Sequence, residues 1–488
     1  MNKAKKVAFY TIGCKLNFSE TSTLSRLFTG SGFDKVGFND EPDIYVINTC
    51  TVTENADRKC RQIIRQVLAK SPDACIAVVG CFAQMKPDEI AGIEGVDIVL
   101  GTDEKFNIVE YFKGTRGVGR GTGVENYRKR GKAIIRYSEI DHINQFISSY
   151  SIDDRVRSFL KIQDGCDYSC SFCVVPKVRG KSRSDTIENI VNLAHDIAKK
   201  GVKEIVLTGV NIGDFGKNDT DILMNTNYTN RKNQNETFYE LIQELEKVES
   251  IERFRISSIE PNLLSDEIIE FIAGSKRIMP HFHIPLQAGS NKILKLMQRR
   301  YSKELFEERI RTIKKLIPHC CIGVDVIVGF PGETEEDFRE TCNLLNQLDI
   351  SYLHVFPYSE RENTVALNIK GAVSKKERNS RSKILQNLSV KKRRFFYEQN
   401  LNKTGSVLFE SGKFASSQPA NSIRQVTDKP PESLKITAID RTYDIIYGFT
   451  ENYIKVKAQY DPGLVNQVKK VVLSEIDYDG IVKVDRIC

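Results

Sequence analysis

The sequence contains no run of about 18 apolar residues, the length that a helix needs to cross a membrane. Its opening residues, MNKAKKVAFYTIGCK, are basic but carry only a short apolar stretch before Cys14, which argues against an export signal. We therefore expect a protein that neither spans a membrane nor leaves the cell, and we expect it in the cytoplasm.

A dense disulfide framework is also missing. The 12 cysteines are spread through 488 residues, whereas disulfide frameworks belong mainly to small exported domains. In a long chain of this kind, cysteines favour metal binding or catalysis. With 40% hydrophobic residues the chain can build cores, and its length predicts about three domains.

One group of cysteines lacks a fourth member. The stretch DGCDYSCSFCVVP, residues 164–176, holds Cys166, Cys170 and Cys173, and no second knuckle lies at the distance usual for a closed zinc site. A four-iron cluster held by three thiolates has one iron without a protein ligand, and that iron can bind a substrate or cofactor. The absence of a fourth cysteine therefore suits a functional open coordination site. A disulfide knot, a zinc site and an ordinary iron–sulfur site remain alternatives, and the open cluster is favoured.

A second set of three cysteines is dispersed along the N-terminal part. Cys14, Cys50 and Cys81 each follow a predicted strand, in TIGCKLN, VINTCTVT and VVGCFAQ. Loops at the carboxyl ends of parallel strands meet in one crevice, so three thiols separated by one β/α repeat each can meet. Three unrelated buried cysteines are the alternative. No role is assigned to the other six, namely Cys60, Cys75, Cys320, Cys321, Cys342 and Cys488.

Alternating apolar runs predict a multidomain α/β fold. Four strands with helices between them predict a Rossmann-like parallel domain over 1–113, and a glycine-rich and basic stretch predicts a linker over 114–151. Six further β/α units predict an open (β/α)6 barrel over 152–395. Short strands after a basic helical segment predict a small β-barrel over 396–488. The asparagine-rich segment within 217–237 is predicted to be a solvated loop insertion.

These features together resemble the radical S-adenosylmethionine (SAM) methylthiotransferases. The resemblance is carried by FLKIQDGCDYSCSFCVVPKVRGKSRS, HIPLQAGSNKILKLMQRRY, GVDVIVGFPGETEEDF and HVFPYSER in the barrel. The tail, with GFTENYIKVKAQYDPGLVNQVKKVVLSEID, resembles the OB-like TRAM domain. Residues 414–437 are longer than the compact TRAM pattern needs, and no role is assigned to them.

The resemblance implies two [4Fe–4S] clusters and SAM as cofactors. The barrel cysteines would hold the cluster that binds SAM and generates a 5′-deoxyadenosyl radical, and the N-terminal cysteines would hold the cluster that supplies sulfur. One SAM would act as methyl donor and a second as radical source. By position in the matching motifs, the residues expected near SAM are Phe172, Asn211, Glu260, His283, Gln287, Arg299 and Asp325.

The resemblance also implies tRNA, at its anticodon stem-loop, as the partner. Of the family's substrates, threonylcarbamoyladenosine fits best, because TIGCKLN has Lys15 after the first cysteine and a cation would complement a carboxylate. Isopentenyladenosine in tRNA and an aspartate of a ribosomal protein are the alternatives. A reductant such as flavodoxin or ferredoxin, a sulfur donor system and a monomeric state are expected. Residues expected to contact RNA are Lys15, Lys391, Lys392, Arg393, Arg394, Asn452, Tyr453 and Lys455.

Overall fold

The computed structural model describes residues 4–113, 132–152, 156–217, 236–410 and 445–487. The glycine-rich stretch after 113, most of the asparagine-rich loop, the insertion at 414–437 and Cys488 lie outside the described residues. Within the described ranges, no helix is both long enough and apolar enough to cross a membrane.

The N-terminal part is a six-stranded parallel sheet with strand order β2-β1-β3-β4-β5-β6. Its strands are β1 (Lys6–Thr11), β2 (Asp34–Lys35), β3 (Ile44–Thr49), β4 (Cys75–Gly80), β5 (Ile98–Leu100) and β6 (Ile134–Arg136). Its helices are α1 (Lys15–Thr29), α2 (Glu54–Lys70), α3 (Cys81–Met85), α4 (Pro87–Ala91) and α5 (Ile108–Lys113). Every residue of β3 and β4 is buried, as expected of central strands covered on both faces.

Part of the predicted linker belongs to the neighbouring sheets. In the part of 114–151 that the structure describes, β6 pairs with β5 through Ile134 and Ile98, and β7 (Ser149–Tyr150) pairs with the first barrel strand. The sequence did not predict these two strands, because each has only two or three residues and that is too few to show a periodic pattern of apolar residues. Their backbone groups are satisfied by that pairing.

The central part is an open barrel of six parallel strands. These strands are β8 (Arg157–Lys161), β11 (Glu204–Thr208), β12 (Arg253–Ile256), β13 (His281–Gln287), β14 (Cys321–Val328) and β15 (Tyr352–Pro357). Regular ladders join β8, β11 and β12, and then β13, β14 and β15; single bridges at Phe254–Ile278 and Ser258–His283 connect the two groups. All six strands predicted from the sequence are present.

Helices and one small sheet complete the barrel. The helices are α6 (Val175–Arg179), α7 (Ile187–Ala198), α8 (Phe238–Glu246), α9 (Asp266–Gly274), α10 (Asn291–Leu296), α11 (Lys303–Leu316), α12 (Glu335–Gln347) and α13 (Lys375–Glu398). The small sheet pairs β9 (Gln163–Asp164) with β10 (Arg183–Ser184). α8 and α12 begin with capping boxes at Thr237 and Thr334, which satisfy their first amide groups.

The C-terminal part is a closed five-stranded barrel with strand order β16-β17-β18-β20-β19. Its strands are β16 (Thr404–Glu410), β17 (Ile445–Thr450), β18 (Lys455–Gln459), β19 (Val468–Ile476) and β20 (Val482–Ile487). Alternating apolar residues such as Val407 and Phe409 fill its interior. The predicted class, a parallel domain followed by an open barrel and a small TRAM-like barrel, is confirmed.

Candidate active site

The loop between β9 and α6 carries Cys166, Cys170 and Cys173, here called the barrel triad. Each sulfur accepts a hydrogen bond. The amide of Tyr168 donates to Cys166 Sγ at 3.4 Å, and the amide of Val175 donates to Cys173 Sγ at 3.4 Å. The Arg299 guanidinium donates to Cys170 Sγ at 3.2 Å. Sulfur atoms that each face an N–H donor suit the anionic, thiolate form.

The barrel triad supplies the ligand type that an iron–sulfur cluster needs. Burial raises the pKa of Cys166 to about 12 and that of Cys173 to about 11, so both thiols are protonated at neutral pH when no metal is bound, and metal binding would release their protons. Among the described residues, no three His, Cys, Asp or Glu side chains are grouped to hold one metal ion. The thiolates of an iron–sulfur cluster, by contrast, bind separate iron atoms.

Cys14, Cys50 and Cys81, here called the N-terminal triad, gather at one edge of the first sheet. Cys14 caps α1, Cys50 directly follows β3 and Cys81 begins α3, and β1, β3 and β4 are neighbours. Gly13 has a φ of +119°, and a Cβ there would lie 2.7 Å from Cys50 Cβ, so only glycine lets the two loops approach. Burial raises the pKa of the Cys50 thiol, and Cys81 and Cys14 raise it further.

The expected SAM residues fall into separate small groups. Arg299 pairs with Glu260 and also contacts Cys170, so these two residues adjoin the barrel triad. His283 Nε2 lies 2.7 Å from Asp325 Oδ1 across neighbouring strands. Gln287 adopts a φ of +65° where the register of β13 shifts.

The remaining two expected SAM residues are Asn211, which is buried, and Phe172, which is partly buried. The Asn211 side-chain amide donates to Asp214 Oδ2 at 2.6 Å, while Asn211 Oδ1 is buried without a hydrogen-bond partner in the described part of the chain. That oxygen is an open acceptor at the carboxyl end of β11. Phe172 packs edge-on against Phe330 with ring centres 6.2 Å apart. The structure therefore uses Phe172 to anchor the loop of the barrel triad.

Lys15 of the N-terminal domain interacts electrostatically with charged residues of the barrel. Its pKa is lowered by burial and by Arg157 and Arg255, while Tyr453 and Asp325 act in the opposite direction. Burial lowers the pKa of His354 to about 4, and both His283, with its ring centre 5.1 Å away, and Lys15 contribute to the lowering. Lys15, the first residue of α1, is therefore close enough to charged residues of the barrel to act on them electrostatically.

Two residues expected to contact RNA lie instead between the two barrels. Asn452 is only 5% exposed, and its side-chain amide donates to the His319 carbonyl at 3.0 Å. The ring of Tyr453 lies 4.4 Å from that of His281. Lys455 is half-buried, with its ammonium 4.9 Å from the ring centre of Tyr447. The alternation of apolar and polar residues in the sequence did not predict this burial. The surface of the small barrel that packs against the neighbouring domain is built from polar residues, and such residues suit solvent equally well.

The basic residues of α13 divide into two kinds. Lys392 is half-buried and donates to the carbonyls of Asn346 and Leu348, which end α12. Lys391, Arg393 and Arg394 are exposed. Three of the four therefore remain on an outward surface.

Sequence reasoning missed the charged residues between the two triads. Arg179 is 2% exposed and bonds to Asp164 Oδ1 at 2.8 Å and to Glu20 Oε1 at 3.1 Å. Its position six residues after Cys173, in CVVPKVRG, was a local signal. Glu20 carried no signal in the sequence, since it looks like an ordinary polar residue of an amphipathic helix.

Comparison with known families agrees with this geometry. Residues 160–345 match the model of the radical SAM superfamily, and residues 6–101 match a family described as uncharacterized protein family UPF0004. The barrel triad lies in the first match and the N-terminal triad in the second.

Curated relatives cover most of the chain. Threonylcarbamoyladenosine tRNA methylthiotransferase MtaB of Bacillus subtilis is 36% identical over 475 residues, which are 97% of this chain and 94% of that protein. The chain belongs to the radical SAM tRNA methylthiotransferases. The protein of the same name from Aquifex aeolicus is 40% identical over 82% of this chain and 91% of its own. The tRNA-2-methylthio-N(6)-dimethylallyladenosine synthase of Natranaerobius thermophilus is 34% identical over 78% and 80%.

Solved structures agree on the fold. The radical SAM methyltransferase TsrM of Kitasatospora setae, with tryptophan and a SAM analogue bound, has a TM-score of 0.51 and 14% identity over 72% of this chain and 73% of its own. The predicted enzyme class is confirmed, and [4Fe–4S] clusters and SAM are the cofactors of this methylthiotransferase family.

Proposed function

We propose that this methylthiotransferase acts on threonylcarbamoyladenosine in tRNA and forms its 2-methylthio derivative. In this proposal the barrel triad holds the cluster that binds SAM, and the N-terminal triad holds the cluster that delivers sulfur. When bound, these groups would supply a carbon radical from one SAM that removes hydrogen from the substrate, a sulfur atom that replaces it, and the methyl group of a second SAM for that sulfur. The chain itself provides the ligands, orients the two loops and recognises the nucleoside.

One observation carries the choice of substrate. Lys15 follows the first ligand of the N-terminal triad and lies near Asp325, yet within the described residues it has no hydrogen-bond or ion-pair partner. The nearby Arg157 and Arg255 are already paired, with Glu410 and Glu204. A half-buried ammonium that makes no direct ion pair among the described residues favours an anionic substrate group, such as the carboxylate of threonylcarbamoyladenosine. An isopentenyl group is apolar and carries no charge that could pair with the Lys15 ammonium.

Replacing Lys15 should change substrate preference. We expect Lys15→Met to lower kcat/KM for an anticodon stem-loop with threonylcarbamoyladenosine by about 10- to 100-fold, the worth of a hydrogen bond to a charged group. The same variant should form 5′-deoxyadenosine normally, because Lys15 contacts no residue of the barrel triad. Lys15→Arg should retain more activity. Product is measured by mass spectrometry of digested RNA.

A matched variant and a second substrate make this test decisive. Lys59→Met removes an exposed lysine of α2 and should leave kcat/KM unchanged. A wild-type enzyme that modifies the isopentenyladenosine stem-loop more efficiently would contradict the proposed substrate. Equal losses in Lys15→Met and Lys59→Met would refute the role of Lys15.

The exposed face of α13 is the proposed contact with tRNA phosphates. Lys391 and Arg394, three residues apart, share one side of the helix with Phe395, which is 56% exposed, and Arg393 is exposed on another side. Basic side chains near an exposed aromatic ring suit a nucleic-acid backbone with an unpaired base. Arg394 also pairs with Glu398 at 2.8 Å, so it would have to exchange that partner.

Neutralising this face should weaken tRNA binding and make the remaining binding less dependent on salt concentration. We expect the triple variant Lys391→Gln, Arg393→Gln, Arg394→Gln to reduce the slope of log Kd against log salt by up to about 3, because each phosphate contact contributes about one. The control replaces Lys199, Lys247 and Lys276, exposed lysines on the outside of the barrel, with glutamine. An unchanged slope in the α13 variant would assign these charges to a solvated surface.

A further inference from the structure

A buried set of charged residues lies between the two triads, and the proposed function does not use it. Two members, Glu20 and Lys105, come from the N-terminal domain. The others are Lys161, Asp164, Arg179 and Arg183. None is more than 7% exposed. Buried charges are costly unless they are paired and hydrogen-bonded, so an interdomain contact built from them invites a specific explanation.

Arg179 connects this set to the N-terminal triad through Asn17. Its Nη2 donates to Asn17 Oδ1 at 2.7 Å. The amide nitrogen of Asn17 in turn donates to the carbonyl of Ile12 at 2.8 Å and to that of Thr49 at 2.9 Å. Ile12 lies two residues before Cys14, and Thr49 directly precedes Cys50. One guanidinium therefore holds the side chain that fixes two of the three ligand loops.

The third loop and the barrel triad meet the same short helix. α6 ends at Arg179 and packs against α3, the helix that begins with Cys81. Val175, at the start of α6, donates its amide to Cys173 Sγ at 3.4 Å. Gly180, just after α6, accepts the amide of Cys166 at 3.0 Å. All three N-terminal loops and both ends of the barrel triad are thus bound to a segment of six residues, 175–180.

The charge balance shows what Arg179 adds. Four cations surround two carboxylates. Without Arg179, Glu20 would keep Lys105 and Lys161, and Asp164 would keep Lys161 and Arg183. Neither carboxylate would be left unpaired. The distinct contribution of Arg179 is its planar fork, which binds Glu20, Asp164 and Asn17 at once and which a lysine cannot reproduce.

We propose that Arg179 is a positioning residue that fixes the N-terminal triad relative to the barrel triad. The inference rests on the proposed function, in which each triad holds a cluster. Sulfur delivery and hydrogen removal must reach the same nucleoside, so the relative position of the two centres decides whether SAM cleavage leads to product. A displacement of the order of 1 Å can cost about 100-fold in such a step.

The test compares Arg179→Lys with Lys105→Met in full-length protein loaded anaerobically with iron and sulfide. Both variants disturb one cation of Glu20, but only Arg179 contacts Asn17. We expect Arg179→Lys to lower product formed per 5′-deoxyadenosine by about 10- to 100-fold. The electron paramagnetic resonance signal that reports the magnetic interaction between the two reduced clusters should become weaker or broader. Lys105→Met should retain both values within about twofold, because Glu20 keeps Lys161 and Arg179 as partners and the contact of Arg179 with Asn17 is unchanged.

Each possible result of this comparison either supports or contradicts the positioning role of Arg179. Loss of iron from the N-terminal triad in Arg179→Lys alone also supports the proposal, because the triad then depends on that fork. Equal effects in the two variants, or no effect in either, would overturn it and leave the set as a general interdomain contact. Wild-type protein that binds only one cluster refutes the proposed two-cluster function instead. Circular dichroism of the iron-free variants monitors folding.

Discussion

A variant with Cys14, Cys50 and Cys81 all replaced by alanine is expected to cleave SAM to 5′-deoxyadenosine and to form no methylthiolated tRNA. The three cysteines lie at the edge of the N-terminal sheet, while the loop of the barrel triad is built from β9, α6 and the donors Tyr168, Val175 and Arg299. Removing the first set leaves the second complete. Iron bound per chain should fall to about half, since each triad is proposed to hold one four-iron cluster.

The reciprocal variant is the control. With Cys166, Cys170 and Cys173 replaced by alanine, neither 5′-deoxyadenosine nor product should form, and about half of the iron should again remain. 5′-Deoxyadenosine is measured by chromatography with dithionite as reductant, and the modified nucleoside by mass spectrometry. Methylthiolated product from the N-terminal triple variant would show that sulfur does not pass through that triad.

Glu204→Gln should destabilise the protein by about 3–5 kcal/mol, the usual cost of breaking a buried ion pair by removing one partner. Glu204 is fully buried, and both of its oxygens accept hydrogen bonds from Arg255, at 2.9 and 3.1 Å. Arg255 also donates to the Glu451 carbonyl at 3.0 Å. The substitution would leave a buried guanidinium without its carboxylate where the two barrels meet. Unfolding of iron-free protein in denaturant, followed by circular dichroism because the chain has no tryptophan, measures the loss.

The effect should also depend on pH. Burial opposes ionisation of Glu204, but Arg255, Arg157 and Arg253 outweigh it and lower its pKa from the usual 4.5 to about 2. A lowered folded-state pKa means that the stabilisation is complete above about pH 5 and is lost as the pH falls toward 2. Wild type and Glu204→Gln should therefore converge in acid. Glu307→Gln, which removes an exposed pair with Arg311, should cost less than about 1 kcal/mol. A similar cost for both variants at neutral pH would contradict the prediction.

The same interface explains why substitutions on α13 test RNA binding better than deletion of the C-terminal barrel. Arg253 donates to the Phe449 carbonyl at 3.2 Å, and Tyr453 packs on His281. Deleting residues 396–488 would remove these partners and disturb the catalytic barrel. Weakened tRNA binding in such a truncation would not distinguish an RNA contact from a damaged fold.

By itself the sequence determined the class of fold, the barrel triad and the enzyme family. Cys166, Cys170 and Cys173 lie within eight residues of one another, so their proximity is a property of the local chain. The strands β3 and β4 are mostly apolar because both faces are covered, and that pattern is readable without coordinates.

Only the tertiary structure decided which distant side chains meet. It brought Lys15 toward Asp325, placed Asn452 and Tyr453 between two barrels and joined Arg179 to Asn17 across 162 residues of sequence. Polar residues carry no period that identifies a partner in another domain, and the same lysine or asparagine suits solvent equally well. Contacts of this kind arise when packed domains exclude water and each buried charge must find an opposite charge or a hydrogen bond.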